Sequence, residues 1–278
     1  MSEKARLKKG KQILEIAREK IGLNLSNQVV DSFKLLINRE AEIGGIRMLS
    51  QKEVNVMLPS KIITVESVEK PFKSKTTSVW NGGKYKKINE SEIMGRRFVR
   101  DLTKPKPLNK KQEELMKNGL GKEQFEQMRK AKASQLKRDP RADFEDSLWN
   151  DVFPLILVHP FLREVIFSFI GNTKSDGRVA QVIDATTKSG RSIRLFFDVE
   201  TKYLLLMVVR WQSWDGDYRK RLYFSDRKKI DGIVIPTKIK SEHTYIPTGK
   251  KPRISYAYID IMEFALNPKF TEKMFKVD

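Results

Sequence analysis

His159 and His243 are the only imidazoles in a chain of 278 residues, and there is no cysteine. Thiol nucleophiles, disulfides and thiolate metal sites are thereby excluded, and histidine-rich metal chemistry has too few ligands. His159 stands in "LVHPFL", an apolar setting beside proline that suits a structural histidine, and His243 is expected in a surface loop. "SWDGDYRK" sets Asp215 and Asp217 on either side of Gly216, as at the start of a cation loop. The further spaced ligands and the late glutamate are missing, so a hairpin turn is expected there instead. Asp176, Asp184 and Asp198 fall at turn or strand positions, where carboxylates orient backbone. Gly44-Gly45 and Gly82-Gly83 read as turns rather than phosphate loops, because no helix start follows closely. No nucleophilic triad or carboxylate cluster is legible. The sequence therefore predicts no catalytic residues, no metal and no cofactor.

What remains is binding, and the charge bears on it. Lysine and arginine outnumber the acids by 55 to 35, a net charge of +20. Such a chain attracts polyanions: nucleic acid, an anionic membrane face or an acidic partner. "KPKPLNKK" and "RKAKASQLKR" could contact phosphates, but the lysines are spread through every segment and no nucleic-acid module is recognisable. No run approaches the roughly 18 to 20 apolar residues of a membrane span. The opening "MSEKARLKKGKQILEIAREKIG" lacks the apolar core of a signal peptide. Two locations are consistent with this: the periplasm, if the chain is a mature form without its signal, or the cytoplasm, if it is complete as written.

The elements that must position any site are mostly strands. Ile13, Leu14, Ala17 and Ile21 recur at helical spacing, with Gly22 as a stop and Lys4, Lys8, Lys9, Lys11 and Lys20 on the solvated face. From Ser32 the period changes to two, with breaks at Gly44-Gly45, Pro59-Ser60, Pro71 and Asn81-Gly82. Residues 89 to 146 are polar and charged; "KEQFEQMRKAKASQLKR" is expected as a helix with Phe125, Met128 and Leu136 on a sparse apolar stripe. "DFEDSLWNDVFPLILVHPFL" is expected as a greasier helix, kinked before Pro154, whose wide apolar face must lie on something. Strands resume after it, with turns at Asp176-Gly177, Ser189-Gly190 and near Glu200-Thr201. "YLLLMVV" is apolar on both faces and so is expected to be covered on both.

"FSDRKKIDGIVIPTKI", followed by "IDIMEFALNPKFTEKMF", resembles the C-terminal half of the LolA-like, outer-membrane lipoprotein-sorting superfamily. Asp231-Gly232 matches the turn, Ile233 and Ile235 the inward residues, Pro236 an edge or strand end, and Asn267, Pro268 and Phe275 the ending. "ILEIAREKIG", "GGIRMLSQKEVNVMLPSKIITVES", "VWNGGKYKK" and "GRVAQVIDATTKSGRSIRLFFDVETKYLLLMVVR" resemble the family's helix and strands in the family's order. The matched segments cover about two thirds of the chain. The resemblance implies an α+β fold: an incomplete, half-open antiparallel β-barrel wrapped over the N-terminal helix and a central helical lid. The expected layout is one domain over 1–278, with the helix and first strands in 1–90, the insertion or lid in 91–164 and the last strands in 165–278.

The function so implied is non-enzymatic carriage of a lipid or a lipoprotein acyl chain in an apolar cavity, with an anionic membrane surface as a second partner. A basic protein that binds nucleic acid or another polyanion is the alternative. Strand alternation nominates Phe33, Leu35, Val56, Val65, Trp80, Phe197, Met207 and Trp211 as cavity lining, with Trp149 and Phe153 on the lid. A register error of one residue would exchange the faces.

Overall fold

The computed structural model describes the chain except for residues 26–28, 44, 71, 104–113, 115–124, 127, 131–148, 150, 159–164, 176, 188–191, 214, 248–250 and 278. The expected loop at "KPKPLNKK", Leu136, His159 and the Ser189-Gly190 turn lie outside the described residues. Of the helix expected around Phe125 and Met128, both residues are helical, and Met128 is buried.

The N-terminal helix α1 spans Glu3–Lys20, capped by the Ser2 side chain. Its apolar stripe, Ile13, Leu14 and Ala17, is buried, as the periodicity requires. Six strands follow: β1 (Ser32–Ile43), β2 (Ile46–Met57), β3 (Lys61–Lys70), β4 (Lys73–Asn81), β5 (Lys84–Ile93) and β6 (Arg96–Asp101). A short helix α2 (Phe153–Ile156) comes next, then β7 (Val165–Ser175), β8 (Arg178–Thr187), β9 (Ser192–Asp198), β10 (Leu204–Ser213), β11 (Gly216–Ile230), β12 (Ile233–Pro247) and β13 (Arg253–Leu266). A 3-10 turn, Glu272–Phe275, ends the chain.

All thirteen strands form one antiparallel sheet in the order β6-β5-β4-β3-β2-β1-β13-β12-β11-β10-β9-β8-β7. Each half is a meander, and the halves join where β1 pairs with β13. The sheet is open: β6 and β7, the strands that flank the central stretch, are its edges. The strands run on to Asp101, so residues 91–101 are sheet rather than part of a helical insertion. Every residue of β6 is exposed, and it therefore shows no apolar alternation by which to recognise it.

Turn chemistry fixes the register. Asp231 and Gly232 have φ of 50° and 82°, the left-handed pair of a two-residue hairpin between Ile230 and Ile233. β12 is an interior strand, so Pro236 is not on an edge. It lies ahead of the β13 ladder, which begins at Lys238, and there its missing N–H breaks no pairing with β13.

The family-like ending is a clamp on the seam. Asn267 Oδ1 accepts from Asp31 N at 2.8 Å and Ser32 N at 3.2 Å, while its Nδ2 donates to Val29 O at 2.8 Å. Beyond it Phe275 is fully buried, and Asn81 Nδ2 donates to its carbonyl at 2.9 Å.

One face of the sheet carries the core. α1, Trp149 and the run Val152–Val158 join it with side chains from strands of both halves. Gly10 lets α1 touch β7: a Cβ there would stand 2.5 Å from Phe167 O. In β10, Leu204, Leu206, Met207, Val208 and Val209 are all buried, so this strand is covered on both faces, as its sequence requires.

Candidate functional site

The core face has an apolar level and a polar level. The apolar level is a cross-strand row: Phe33 faces Val56, Val56 faces Ile62, and Ile62 faces Trp80. In the other half Met207 lies between Leu195 and Leu222. Of the residues nominated from sequence, Phe33, Leu35, Val56, Trp80, Trp149, Phe153, Phe197 and Met207 are all buried here. Val65 is placed on the other face of β3, opposite Glu53 and Thr77, and half-exposed. Trp211 is partly buried at the far end of β10, on the same face as Met207 and Val209.

The apolar level is occupied by the chain itself. Val152 to Val158 form a run of seven residues, every one buried. α2 starts at Phe153, with Val152 as its cap and Pro154 in its first turn; residues 143–148, 150 and 159–162 of the expected helix lie outside the described residues. Leu157, at φ 53°, stops it. Trp149 and Phe153 rings lie 4.3 Å apart, and Phe153 reaches Phe167 of β7 at 6.3 Å.

Polar contacts hold the run at both ends. Arg18 Nε of α1 donates to Leu157 O at 2.9 Å, and Lys52 Nζ pairs with the Asp151 carboxylate. Burial pulls the Arg18 guanidinium down to about 10, with Glu15 opposing.

At the polar level the inward residues change character. Arg39 follows Ile37, Lys52 follows Val54, and Lys220 follows Leu222, each two positions along its strand. With Glu66 and Asp151 they line a cavity of about 210 Å³, with Ser50 and Ser241 between them. Burial pulls the Lys220 ammonium down to about 8; Arg39 and Lys52 act the same way, and Asp151 opposes. Lys220 keeps some accessible surface and lines this cavity.

Above the cavity lies an aromatic stack. Trp211 and Tyr218 are 5.2 Å apart and nearly parallel, Tyr218 and Tyr245 are 4.6 Å apart, and His243 lies 5.6 Å from Trp211. His243 is therefore a strand residue and not a loop residue; its ring packs because β12 continues to Pro247. Burial lowers its pKa, with Lys220 and Arg39 adding to the effect. Asp215 is committed to this stack. Its Oδ2 accepts from Tyr218 OH at 2.7 Å and Tyr245 OH at 3.1 Å, and burial with this carboxylate raises both phenols. "SWDGDYRK" is a hairpin turn, as expected. Asp198 likewise orients its turn, accepting from Glu200 N at 2.7 Å and Thr201 N at 3.0 Å, and Asp184 pairs with Arg194. Among the described residues no group of three or more metal-ligating side chains converges.

The basic surface is mixed with acid. Lys34–Glu263, Arg47–Glu40, Arg194–Asp184 and Arg221–Glu242 are ion pairs. An open groove of about 620 Å³ along β3, β4, β5 and β6 sets Lys70, Lys73, Lys75 and Arg97 beside Glu69, Glu90 and Glu92. No helix among the described residues is long and apolar enough to cross a membrane.

No family model matches the sequence, and no curated protein matches it. Solved structures do. A LolA superfamily protein from Nitrosomonas europaea, NE2245, superposes with a TM-score of 0.52 at 13% identity, over 96% of this chain and 97% of that one. A DUF1329 family protein from Desulfovibrio piger gives 0.49 at 13% identity, over 98% and 97%. A domain from Vibrio parahaemolyticus described as an outer membrane lipoprotein-sorting protein gives 0.49 at 9% identity, over 97% of each. At 13% identity the likeness to the first is one of fold, and the fold is LolA-like.

Proposed function

We propose that this chain is a non-enzymatic carrier of a lipid or a lipoprotein acyl chain, working in the periplasm in outer-membrane lipoprotein sorting or a related transport. In this reading the sheet curls into an incomplete barrel. Strands of both halves share one core with α1 and the run Val152–Val158, which supports the curl.

The observation that carries the reading is the apolar run itself. Val152–Val158 is buried on the face where an acyl chain would lie, yet none of its described backbone hydrogen bonds goes to a strand. It can leave without breaking a ladder. An entering chain would then take over its contacts, each buried methylene contributing about 0.8 kcal/mol. Phe33, Leu35, Val56, Trp80, Phe197 and Met207 would meet the ligand, while Trp149 and Phe153 move with the lid. The LolA-like fold supports the same reading by analogy. An anionic membrane surface is the second partner, on the strength of the +20 charge.

The test is native mass spectrometry of the purified chain with organic extraction, followed by titration with a fluorescent fatty-acyl probe. A co-purifying lipid and saturable probe binding are expected. A lipid-free protein that ignores the probe, and binds oligonucleotides tightly with strong salt dependence, would replace this reading with the polyanion one.

A further inference from the structure

Basic residues occupy the core-face parity at one level of three interior strands, Lys52 and Lys220 partly buried and Arg39 exposed at the cavity rim. β1 runs inward through Phe33, Leu35, Ile37 and then Arg39; β2 through Val56, Val54 and then Lys52; β11 through Phe224, Leu222 and then Lys220. Each of these strands is paired on both sides, so the charges are not edge protection. They converge on the 210 Å³ cavity, which is smaller than a drug-sized pocket of about 300–1,000 Å³ and suits a small polar group.

The cavity already contains an anion, supplied by the apolar run. Asp151 pairs with Lys52, and the residues that follow it, Val152 to Val158, cover the apolar level. A carboxylate on basic side chains, continued by an apolar chain on an apolar floor, is the layout of an anionic lipid. If the run leaves, the cavity keeps Arg39, Lys52 and Lys220 but loses one of its two carboxylates, Asp151, and holds only Glu66, which lies opposite Lys52. A neutral ligand would leave the surplus of positive charge in a half-buried site, whereas an anionic head would restore the balance. The site thus discriminates by charge.

We propose that this cavity is the head-group site for an anionic amphiphile, a carboxylate or phosphate on an acyl chain, and that Asp151 with Val152–Val158 is its internal stand-in. The inference rests on the carrier reading for the chain, and on Arg39, Lys52 and Lys220 for the head. Lys52 exchanges one anion for another. Lys220 and Arg39 add positive potential from β11 and β1, and Glu66 from β3 limits how much negative charge the site accepts.

The experiment compares dodecyl phosphate, dodecanol and inorganic phosphate by calorimetric titration of the full chain, below micelle-forming concentrations. The parent is expected to bind dodecyl phosphate at least tenfold more tightly than dodecanol. The Arg39→Gln/Lys220→Met double variant, with its fold checked by circular dichroism, should lose most of that ratio. Attraction by net charge alone would survive the loss of two cations from 55. Equal affinities in the parent, or a ratio unchanged in the double variant, overturn the head-group site and leave the carrier reading standing. Inorganic phosphate that binds through Arg39 and Lys220, while neither dodecyl compound binds, upholds the anion site and removes the carrier. No binding of any of the three removes both. Should the double variant not fold, Asp151→Asn takes its place: it should tighten dodecyl phosphate several-fold more than dodecanol, and an unchanged pair of affinities overturns the proposal.

Discussion

Replacing Lys220 by methionine tests the half-buried cavity without any ligand. The two side chains are similar in length, and methionine adapts its shape to its surroundings. Burial, helped by Arg39 and Lys52 and opposed by Asp151, holds the ammonium down to about 8 in the folded protein. Unfolded lysine titrates at about 10.4, and one pKa unit is worth about 1.36 kcal/mol. The charged form therefore costs the folded state roughly 3 kcal/mol. Below the folded pKa of about 8 both states hold the proton, and the penalty is present in full. As the pH rises from there toward about 10.4, the folded state sheds the proton first, the unfolded state binds more, and stability rises until the penalty is gone. Methionine never carries it. The variant should thus be more stable than the parent by about 3 kcal/mol near neutrality, and the gap should close as the pH approaches the unfolded value. Urea midpoints of both proteins, measured in parallel across that range, give the difference, in which the titrations of groups remote from Lys220 cancel. His243, Arg39, Lys52 and Asp151 surround the position in both proteins. A variant less stable than the parent at neutral pH, or a gap that does not move with pH, would show that the ammonium is well solvated and the cavity argument wrong.

Replacing both Trp149 and Phe153 by alanine would cost about 3 to 5 kcal/mol each in a permanent core. In a displaceable run the global loss is capped at the free energy of seating, and acyl-probe affinity should rise as the competitor weakens; a midpoint loss near the full sum with unchanged probe binding would assign both to fixed core. Asn267→Ala should cost about 2 to 3 kcal/mol by unpairing Asp31 N, Ser32 N and Val29 O, and Asn267→Gly should recover little of it although it accepts the φ of 53°. Full rescue by glycine in thermal unfolding would make the backbone, not the amide, the clamp. Gly10→Ala should destabilise by about 1 to 3 kcal/mol despite its helix preference, because its Cβ meets Phe167 O at 2.5 Å; a raised melting temperature would contradict the close seating of α1 on β7.

The hairpins were legible because their turns need particular residues. Asp231-Gly232 adopts two positive φ angles that few other pairs tolerate, and the α1 stripe follows from spacing alone. β3 was harder. "KIITVESVEK" has apolar residues at positions of both parities, and only pairing with Val56 and Trp80 decides that Ile62 faces inward while Val65 does not. The polar level was missed for a related reason. Alternation assigns lysine and arginine outward by default, so Lys52 and Lys220 look like solvated positions until neighbouring strands put them opposite Ile37 and Val209. A basic residue at the inward parity of several strands was the available signal. Asp215 could be read as a turn residue, but not as the acceptor for Tyr245, which lies 30 residues away. β6, exposed throughout even at Phe98 and Val99, carries no local sign of its partner.

The pairing of β1 with β13 also governs how the chain assembles. The first and last strands are neighbours at the centre, and the clamp between Asp31 and Asn267 joins residues 236 apart. A chain made from its N-terminus can zip β1 to β6 early, since each contact is local. The free side of β1 then waits until nearly the whole polypeptide exists. Closing a longer loop adds only slowly to the entropy, but non-local pairing delays folding. During that interval the unprotected strand edge is β1, whose inward residues Phe33, Leu35 and Ile37 are among the most buried in the finished protein. The edges that persist are different: β6 bears Arg96, Arg97 and Arg100, and β7 is packed against α1. The danger of strand addition by another chain is therefore greatest before synthesis ends, at a site that no longer exists once the protein is complete.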